Sequence, residues 1–570
     1  MNRYLAFILI LLYSLISCAT NNSVIEQDGG IVPPSSNGDI SIRGSFESKW
    51  KRYSQGEQFI GQTDDKYIST IWKDTVWLND RVHVQLLLWG TEGWSDDLEF
   101  ELTDLVGENS NIPASNIQLR FPAYVTGDMR ALSCEGYPLH DAVYIADALS
   151  EKAFTSVSPK EPQKIWLTAN IPANVRPGHY LGSIKVKSDG KDMQTFDIDF
   201  LVVNHVLPEP SKWKFHLDIW QFPFQLATLC TNEEQKVDLF SEKYFSLIEP
   251  FYRLLADAGQ KAVSTYIKDG AFGKGQTMVQ WKLDKNGNWL FDYTNFDKFV
   301  EKMEQWGINK QINCFSLIGW NTSIGYEDAH GNNKTMDPAI GSEQYNSIWI
   351  TFLTSFKNHL LEKGWFDKAV LYMDEIKEKE MISVIFLIKE HDPHWKIGLS
   401  GSQNSVRIES MLYDYSTIFG YERLANTPLS TFYTSCTQEH PNNYVTLENS
   451  PAEMTWMPWY VLSKGLDGYL RWAYDYWTQK DPLNVQDGSN TAGDFNMIYR
   501  SGNNALNCKP INSIRFELLR EGIQDYEKVV ILKNNDLNKI ISKFKTSTGE
   551  NAEELVNEAE ALLKKISVEN

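Results

Sequence analysis

Eight short apolar runs, separated by amphipathic stretches of helical period, occupy the chain from about residue 212 to residue 510. This alternation is typical of parallel β-strands joined by helical crossovers. Eight such units close a (β/α)8 barrel, which needs roughly 250 residues or more. The sequence therefore predicts a TIM-like barrel over residues 212–510. The predicted strands are His216–Trp220, Lys261–Ile267, Gln311–Leu317, Ala369–Met373, Trp395–Leu399, Ser416–Gly420, Ser430–Thr434 and Gly468–Tyr474.

The segments on either side of the predicted barrel have different patterns. Residues 40–207 consist of short runs in which apolar and polar residues alternate, with turn signals such as Arg176-Pro177-Gly178 between them. This pattern predicts an N-terminal antiparallel β-sandwich. Residues 511–570 contain two amphipathic stretches, Ile514–Leu532 and Ala552–Ile566, which predict a C-terminal segment of covering helices.

Two adjacent carboxylates, Asp374 and Glu375, follow the apolar run of the fourth predicted strand. Neighbouring carboxylates repel each other, so one of them is expected to keep its proton where an isolated acid would lose it, as a general acid must. The alternative is that the two acids only cap the next helix. Their position favours catalysis, because barrel enzymes place their active sites at the C-terminal ends of the strands. Both acids can reach one pocket only if the backbone turns or bulges between them.

The N-terminus predicts export as a lipoprotein. Arg3 precedes an apolar run that ends in Leu15-Ile16-Ser17-Cys18, so residues 1–18 read as a secretory signal ending at a lipidated Cys18. The apolar run is too short for a membrane-spanning helix, which needs about 20 residues. Residues 19–39 are rich in Ser, Asn, Gly and Pro and are expected to form a flexible tether. The expected location is the outer membrane, facing the periplasm or the cell surface.

Composition excludes several functions. The chain has 54 Lys plus Arg against 74 Asp plus Glu, and the net charge of −20 opposes binding to nucleic acid. The cysteines after Cys18 are widely spaced and form no metal motif, so we predict neither a metal nor a cofactor, and no structural disulfide is needed. Cys314 is expected to be a small core residue. These five cysteines are Cys134, Cys230, Cys314, Cys436 and Cys508.

Several longer motifs follow one another along the chain, namely Leu217–Phe224, Leu254–Lys261, Tyr372–Glu375, Gly468–Tyr474 and Ser513–Glu527. In this order they resemble glycoside hydrolase family 123. The resemblance extends from about residue 210 to residue 535 and includes the acidic pair. The family is also expected to carry an N-terminal sandwich.

The resemblance implies an exo-acting β-N-acetylgalactosaminidase that retains anomeric configuration through substrate assistance. The implied substrate is a glycan or glycolipid with a terminal β-linked N-acetylgalactosamine, whose 2-acetamido oxygen attacks the anomeric carbon. Asp374 would orient and stabilise the acetamido group, and Glu375 would protonate the leaving oxygen and then deprotonate water. The sequence departs from many relatives at Ile376, where Pro is expected, and this puts the shape of the following loop in doubt.

Other substrate-binding candidates lie at the predicted strand ends. We expect at least one of Trp472 and Trp477 to stack on sugar, with a core role as the alternative. Asp475 or Asp494 is a candidate for binding the hydroxyls that distinguish galacto from gluco sugars. Arg471 is expected to be a structural ion-pair partner. The predicted substrate-binding residues are Trp220, Gln221, Tyr372, Tyr433, Trp472, Tyr474, Asp475 and Trp477.

Two rival functions remain open at the level of sequence. One is a non-catalytic lipoprotein that captures glycans with the same barrel. The other is a conventional retaining glycosidase in which Glu375 is the acid and Glu422 or Glu439 is the nucleophile. The natural glycan, its linkage and the oligomeric state are left open.

Overall fold

All eight strands predicted for the barrel are present and pair side by side in one parallel sheet. A computed structural model describes residues 41–569 except 63, 93–94, 96, 133, 135–139, 153–155, 159–161, 232–235, 273–274, 320–321, 403–404, 489 and 503–506. The predicted lipoprotein signal and tether therefore lie outside the described residues. The barrel strands, numbered first to eighth in chain order, are His216–Ile219, Ala262–Tyr266, Gln311–Phe315, Ala369–Asp374, Lys396–Gly401, Asp414–Ile418, Leu429–Tyr433 and Gly468–Arg471.

The barrel is nearly closed, with a seam between the first and second strands. The other neighbours pair continuously in parallel, but this pair makes only an isolated bridge between Leu217 and Gln260. Side-chain amides complete the seam. Gln260 accepts a hydrogen bond from Ile219 N at 2.9 Å and donates to Ala262 O at 2.8 Å. Gln221 donates to the carbonyl of Ile219 and accepts from Ser264 N at 2.8 Å.

The helical layer is less regular than the predicted alternation of strand and helix. Within the described residues, the connections between the fifth and sixth and between the sixth and seventh strands contain no α-helix. Helix α8 was not predicted, because it has only eight residues and follows a short polar loop. The helices are α1 (Pro223–Leu229), α2 (Glu242–Asp257), α3 (Thr294–Gln305), α4 (Glu343–Lys363), α5 (Glu378–His391), α6 (Ala452–Lys464), α7 (Ile514–Leu532), α8 (Leu537–Phe544) and α9 (Ala552–Glu569).

A small antiparallel hairpin pair covers part of the barrel's C-terminal rim. Its strands come from the loops after the second and third barrel strands, and Lys268 donates to Ser323 O at 2.8 Å to join the two loops. The four strands are Gln280–Leu283, Trp289–Asp292, Ile324–Glu327 and Asn333–Met336.

The N-terminal region is a sandwich of two sheets, as predicted. Phe46 of one sheet packs edge-on against Phe196 of the other, with ring centroids 5.6 Å apart. The pairing is antiparallel except that Ile71–Leu78 runs parallel to Lys191–Val206. One sheet contains Ser41–Glu47, Arg81–Glu92, Gln163–Asn170, Ile117–Asp128 and Ala142–Ser150. The other contains Ile71–Leu78, Lys191–Val206, Gly178–Ser188, Leu105–Gly107, Asn111–Ile112 and Glu99–Leu102.

The sandwich and the barrel share elements. Strands Tyr499–Arg500 and Pro510–Ser513, which follow the eighth barrel strand, extend the first sheet of the sandwich. Helix α9 also packs on the sandwich, where Trp77 Nε1 donates to Ser567 Oγ at 2.9 Å. The fully buried Glu517 of α7 pairs with Arg120 at 2.7 Å, and these ties hold the described residues of the sandwich, the barrel and the C-terminal helices together as one unit.

Two disulfides correct the expectation that none is needed. Cys134 pairs with Cys436, and Cys230 pairs with Cys508. The partners are 302 and 278 residues apart, so spacing along the chain gave no sign of them. Cys314 is free and buried, as predicted. Among the described residues, no helix combines the length and the apolar character that a membrane crossing requires.

Candidate active site

The two acids of the predicted dyad occupy a sharp change in backbone direction. Asp374 is the last residue of the fourth strand, and Glu375 adopts a left-handed conformation with φ of 49°. The Glu375 N–H still donates to Ser400 O at 2.8 Å, which fixes the turn to the fifth strand. A non-glycine residue with positive φ is uncommon, and such residues cluster at active sites. This is the turn that adjacent acids need if both are to face one pocket.

Ser400 holds the carboxylate of Asp374. Its hydroxyl donates to Asp374 Oδ1 at 2.6 Å, and the two residues are register partners on the fourth and fifth strands. Ser400 is buried, while Asp374 is partly exposed. A short charge-assisted hydrogen bond of this kind restricts the rotation of the carboxylate. The sequence analysis did not identify Ser400, although a polar residue ending the next strand was a usable signal.

Tyr433 holds the second acid. It ends the seventh strand, and its Oη donates to Glu375 Oε1 at 3.0 Å. Burial, followed by the negative charge of Glu375, raises the pKa of Tyr433 well above its usual value. The phenol therefore stays protonated and can only donate to an ionised Glu375. The carboxylate of Glu375 is exposed, as a proton-transfer group at a pocket mouth needs to be.

Aromatic rings form the barrel interior beside the acids. Trp220 at the end of the first strand and Tyr372 on the fourth have ring centroids 6.0 Å apart. Phe315 lies against both, at 4.9 Å and 5.3 Å. All three are buried. They form an apolar floor that fixes the strand ends carrying the acids.

Trp472 is the tryptophan with exposed surface at the end of the eighth strand. It packs edge-on against Phe495, with centroids 4.6 Å apart, and against Phe222 at 6.0 Å. Trp477 instead is 5% exposed and donates through Nε1 to Ile498 O at 2.9 Å. Of the two tryptophans, Trp472 retains the surface that stacking on a sugar requires.

Three other predicted substrate contacts are in the protein interior. Gln221 is engaged in the barrel seam described above. Tyr474 donates to Phe251 O at 2.9 Å. Asp475 accepts from Phe222 N at 2.8 Å and from Tyr252 Oη at 3.0 Å, and burial raises its pKa to about 7. Each is 0% exposed, so their positions do not support the prediction that they touch substrate.

The remaining charged candidates form internal or surface pairs. Arg471 forms the expected structural ion pair, with Asp494, and donates to Thr434 O as well. Asp494 is buried in that pair. Glu422 pairs with Lys464 of α6 at 2.6 Å and with Lys545 after α8 at 3.5 Å. Neither Asp494 nor Glu422 therefore has a free carboxylate directed at the acidic pair.

Two domains of one known protein family match the chain. The catalytic domain of glycoside hydrolase 123 matches residues 220–532, and the N-terminal domain of the same family matches residues 46–188. The catalytic match spans more than half of the chain and contains Asp374, Glu375, Ser400, Tyr433 and Trp472. The chain belongs to glycoside hydrolase family 123. It is therefore a glycoside hydrolase, with the sandwich and barrel that the sequence predicts for the family.

A solved structure of a family 123 enzyme agrees with this fold. The chain is similar to a family 123 glycoside hydrolase from Clostridium perfringens, described for glycolipid glycan hydrolysis. The TM-score is 0.80 at 24% identity, over 93% of this chain and 100% of that one. A GH5 xyloglucanase from Bacteroides ovatus gives a TM-score of 0.27 at 7% identity, over 80% of this chain and 98% of that one. No curated protein matches the chain.

Proposed function

We propose that this family 123 enzyme releases terminal, non-reducing, β-linked N-acetylgalactosamine by a retaining, substrate-assisted mechanism. The proposal rests on one observation: each of the two adjacent acids is held by a hydrogen bond from a different residue. Ser400 holds Asp374, whereas Tyr433 holds Glu375. Two acids with different partners at one turn suit two different tasks on neighbouring atoms of one sugar ring.

In the first step, the acetamido oxygen of the substrate attacks the anomeric carbon. The glycosidic bond breaks, its electron pair goes to the leaving oxygen, and that oxygen takes the proton of Glu375. Asp374 accepts a hydrogen bond from the acetamido N–H and stabilises the positive charge that develops on the oxazolinium ring. In the second step, Glu375 takes a proton from water, and the water oxygen reopens the ring at the anomeric carbon. Two inversions leave the configuration retained.

The position of Glu422 favours substrate assistance over a nucleophile at that residue. In a conventional retaining glycosidase, the nucleophile lies about 5–5.5 Å from the acid, across the scissile bond. Glu422 is instead paired with Lys464 in the outer helical layer. Glu439, the other candidate, is exposed in the loop after the seventh strand, and the trapping experiment below tests it. The separate partners of Asp374 and Glu375 also disfavour a purely glycan-binding module, which has no need for a fixed proton donor.

The proposed substrate is the glycan of a glycolipid, by analogy with the Clostridium perfringens relative. We also propose that the enzyme is an exported lipoprotein anchored through Cys18. The two disulfides support export, because disulfides persist in oxidising compartments outside the cytoplasm. Labelling with a fatty-acid analogue should mark the wild-type chain, and Cys18→Ser should remain unlabelled. Labelling of both proteins, or of neither, would contradict the anchor.

Chromogenic aryl glycosides test the specificity directly. Purified enzyme should hydrolyse the N-acetyl-β-galactosaminide with a higher kcat/KM than the N-acetyl-β-glucosaminide. Equal rates, or a preference for the gluco substrate, would contradict the proposed specificity. Binding of an oligosaccharide in a calorimeter without any hydrolysis would favour the glycan-capture alternative.

Substrates with fluorinated acetyl groups test the mechanism. Fluorine withdraws electrons from the acetamido oxygen, so each added fluorine should lower kcat/KM steadily. A kcat/KM that does not change with the number of fluorine atoms would indicate a nucleophile from the protein. In that case, a covalent glycosyl-enzyme should be trapped, and its site would identify the carboxylate.

A further inference from the structure

The barrel interior below the acidic pair contains polar side chains that the proposed reaction does not use. His216 and Asp218 lie two residues apart on the first strand, Asp414 begins the sixth strand, and Gln311 and Asn313 lie on the third. Alternate residues of a strand share a face. Asp414 is in register with Tyr372, two residues before Asp374, so the cluster lies deeper in the barrel than the acids.

The cluster brings three possible metal ligands together. One ligand atom each from His216, Asp218 and Asp414 lies within 4.8 Å of the other two. Both carboxylates are only 1% exposed. Each carboxylate is also oriented through one oxygen, because Asn313 Nδ2 donates to Asp218 Oδ2 at 2.8 Å and Gln311 Nε2 donates to Asp414 Oδ2 at 2.7 Å.

One side-chain atom of each of the three residues is buried and has no hydrogen-bond partner. These atoms are Asp218 Oδ1, Asp414 Oδ1 and His216 Nε2. Trp220 and Gln260 approach Asp218 closely enough to lower its proton affinity, but neither makes a hydrogen bond of acceptable geometry to Oδ1. Within the described part of the chain, neither carboxylate belongs to an ion pair. Buried polar atoms are normally satisfied, so three unpartnered atoms in one cluster indicate a missing partner.

The charge of the two carboxylates favours a positively charged partner. Two ionised carboxylates buried this close together repel each other unless a cation lies between them. The nearby Lys261 directs its ammonium group to Pro210 O at 3.1 Å and, among the described residues, forms no ion pair with either carboxylate.

We propose that His216, Asp218 and Asp414 bind one divalent transition-metal ion inside the barrel. One imidazole nitrogen and two carboxylate oxygens suit Zn²⁺ or Mn²⁺, and the two anionic ligands balance the charge of the ion. The amides of Asn313 and Gln311 provide the outer hydrogen bonds that metal-binding carboxylates usually have. The hydroxyl of Ser416, buried and without a partner, is available as a further ligand.

The ion would tie together strands that do not pair. In the sheet, the first and sixth strands are separated by the eighth and seventh. A bond from His216 and Asp218 to Asp414 would therefore cross the barrel interior. The seam between the first and second strands makes such a tie useful, because the first strand has full backbone pairing on one side only. The role we infer is structural, and it goes beyond the proposed hydrolase function.

Metal analysis of the purified protein tests this inference. Protein purified without a metal-affinity column should contain about one equivalent of Zn²⁺ or Mn²⁺ per chain by mass spectrometry of the elements. Removing the ion with a chelator should lower the midpoint of thermal unfolding by about 2 °C or more, and adding back Zn²⁺ should restore it. Co²⁺ added to the stripped protein should give visible absorption bands that Zn²⁺ abolishes.

Variants locate the ion. His216→Gln and Asp414→Asn should each lose most of the bound metal and the cobalt bands. Glu453→Gln is the matched control, since Glu453 is also a buried carboxylate beside a histidine, but both of its oxygens accept hydrogen bonds. This control should keep the metal. If the cluster variants do not fold, the cobalt titration of the wild-type chain decides alone.

Two results would overturn the inference. The first is wild-type protein that contains no stoichiometric metal, gives no cobalt bands and does not change its unfolding midpoint with chelator or Zn²⁺. The second is metal that remains at full stoichiometry in both cluster variants, which would place it elsewhere. In either case, a proton shared by Asp218 and Asp414 would be the remaining explanation. Glycosidase activity is assayed separately, so these results do not depend on the proposed function.

Discussion

Tyr433 donates a hydrogen bond to Glu375 across the C-terminal rim of the barrel, with 3.0 Å between Oη and Oε1. The two residues belong to strands that are not neighbours, because the fifth and sixth strands lie between them in the sheet. The phenol is 5% exposed, and its pKa is raised by burial and by the charge of Glu375. The protonated phenol therefore donates to Glu375 and fixes the position of the acid/base at the rim.

Tyr433→Phe should weaken catalysis. Without the donated hydrogen bond, the side chain of Glu375 loses the contact that fixes its rotation at the rim. We expect kcat to fall about tenfold with little change in KM. Tyr469→Phe is the control, because its hydroxyl bonds to Thr434 Oγ1 instead of the acids. An unchanged kcat in Tyr433→Phe would contradict the assigned contact.

Ser400→Ala should disturb Asp374 without removing it. The Ser400 hydroxyl lies 2.6 Å from Asp374 Oδ1, and its loss frees the carboxylate to rotate away from the acetamido group. We expect kcat to fall about 10- to 100-fold with little change in KM. Rescue by Ser400→Thr, which keeps the hydroxyl, would support a positioning role. Ser430→Ala, a serine at the start of the seventh strand, serves as the control, and an equal loss there would indicate a general packing effect.

Replacement of the acids themselves should separate their two roles. Glu375→Gln should lose at least about 100-fold in kcat on substrates with poor leaving groups and much less on activated aryl glycosides, which leave without protonation. Asp374→Asn should lose rate on both kinds of substrate, because the acetamido group acts in each. Equal leaving-group dependence in the two variants would contradict the division of labour.

The two disulfides should contribute measurably to stability. Each closes a loop of about 300 residues, and disulfides typically contribute roughly 2–4 kcal/mol. Reduction of the folded protein should therefore lower the thermal midpoint, and so should the paired change of Cys230 and Cys508 to Ser. Cys314→Ser is the control, since this thiol is unpaired. An unchanged midpoint on complete reduction would contradict a structural role for both bonds.

The pattern of apolar and polar residues predicted the barrel strands and the acidic pair, because both features are encoded by residues close together in the sequence. Eight apolar runs gave eight strands, and helix α7 begins and ends where the period of Ile514–Leu532 predicted. The left-handed conformation of Glu375 also follows from the requirement that two adjacent acids share a pocket. These features arise within a few residues of chain, where periodicity is informative.

Contacts between distant segments could not be predicted in the same way. The rings of Tyr474 and Trp477 follow the eighth strand, but the chain turns inward there, so that Tyr474 contacts Phe251 of α2. The side-chain amide of Gln221 hydrogen-bonds to the backbone at the seam between the first and second strands, so this residue is held inside the barrel. A strand end predicts that a side chain is near the rim, but only the packing of the following loop decides whether it faces the pocket or the core.

Asp475 provides a test of that distinction through pH. Burial raises its pKa from 3.8 to about 7, so the folded state binds a proton more tightly than the unfolded state does. Stability from this group is fully present below pH 4 and is lost as the pH rises from about 4 through about 7. Asp475→Asn cannot ionise. Between pH 5 and pH 8, the free energy of unfolding of the wild type should therefore fall by roughly 2–4 kcal/mol relative to that of the variant.

Urea unfolding of both proteins at these two pH values measures the change. Asp367→Asn, at an exposed carboxylate, is the control and should follow the wild type at both pH values. The carboxylate of Asp475 contacts Phe222 N and Tyr252 Oη, so the pH effect reports on the packing of α2 against the end of the eighth strand. A many-fold rise in KM without any pH-dependent change in stability would instead place Asp475 in the sugar pocket, as the sequence alone suggested.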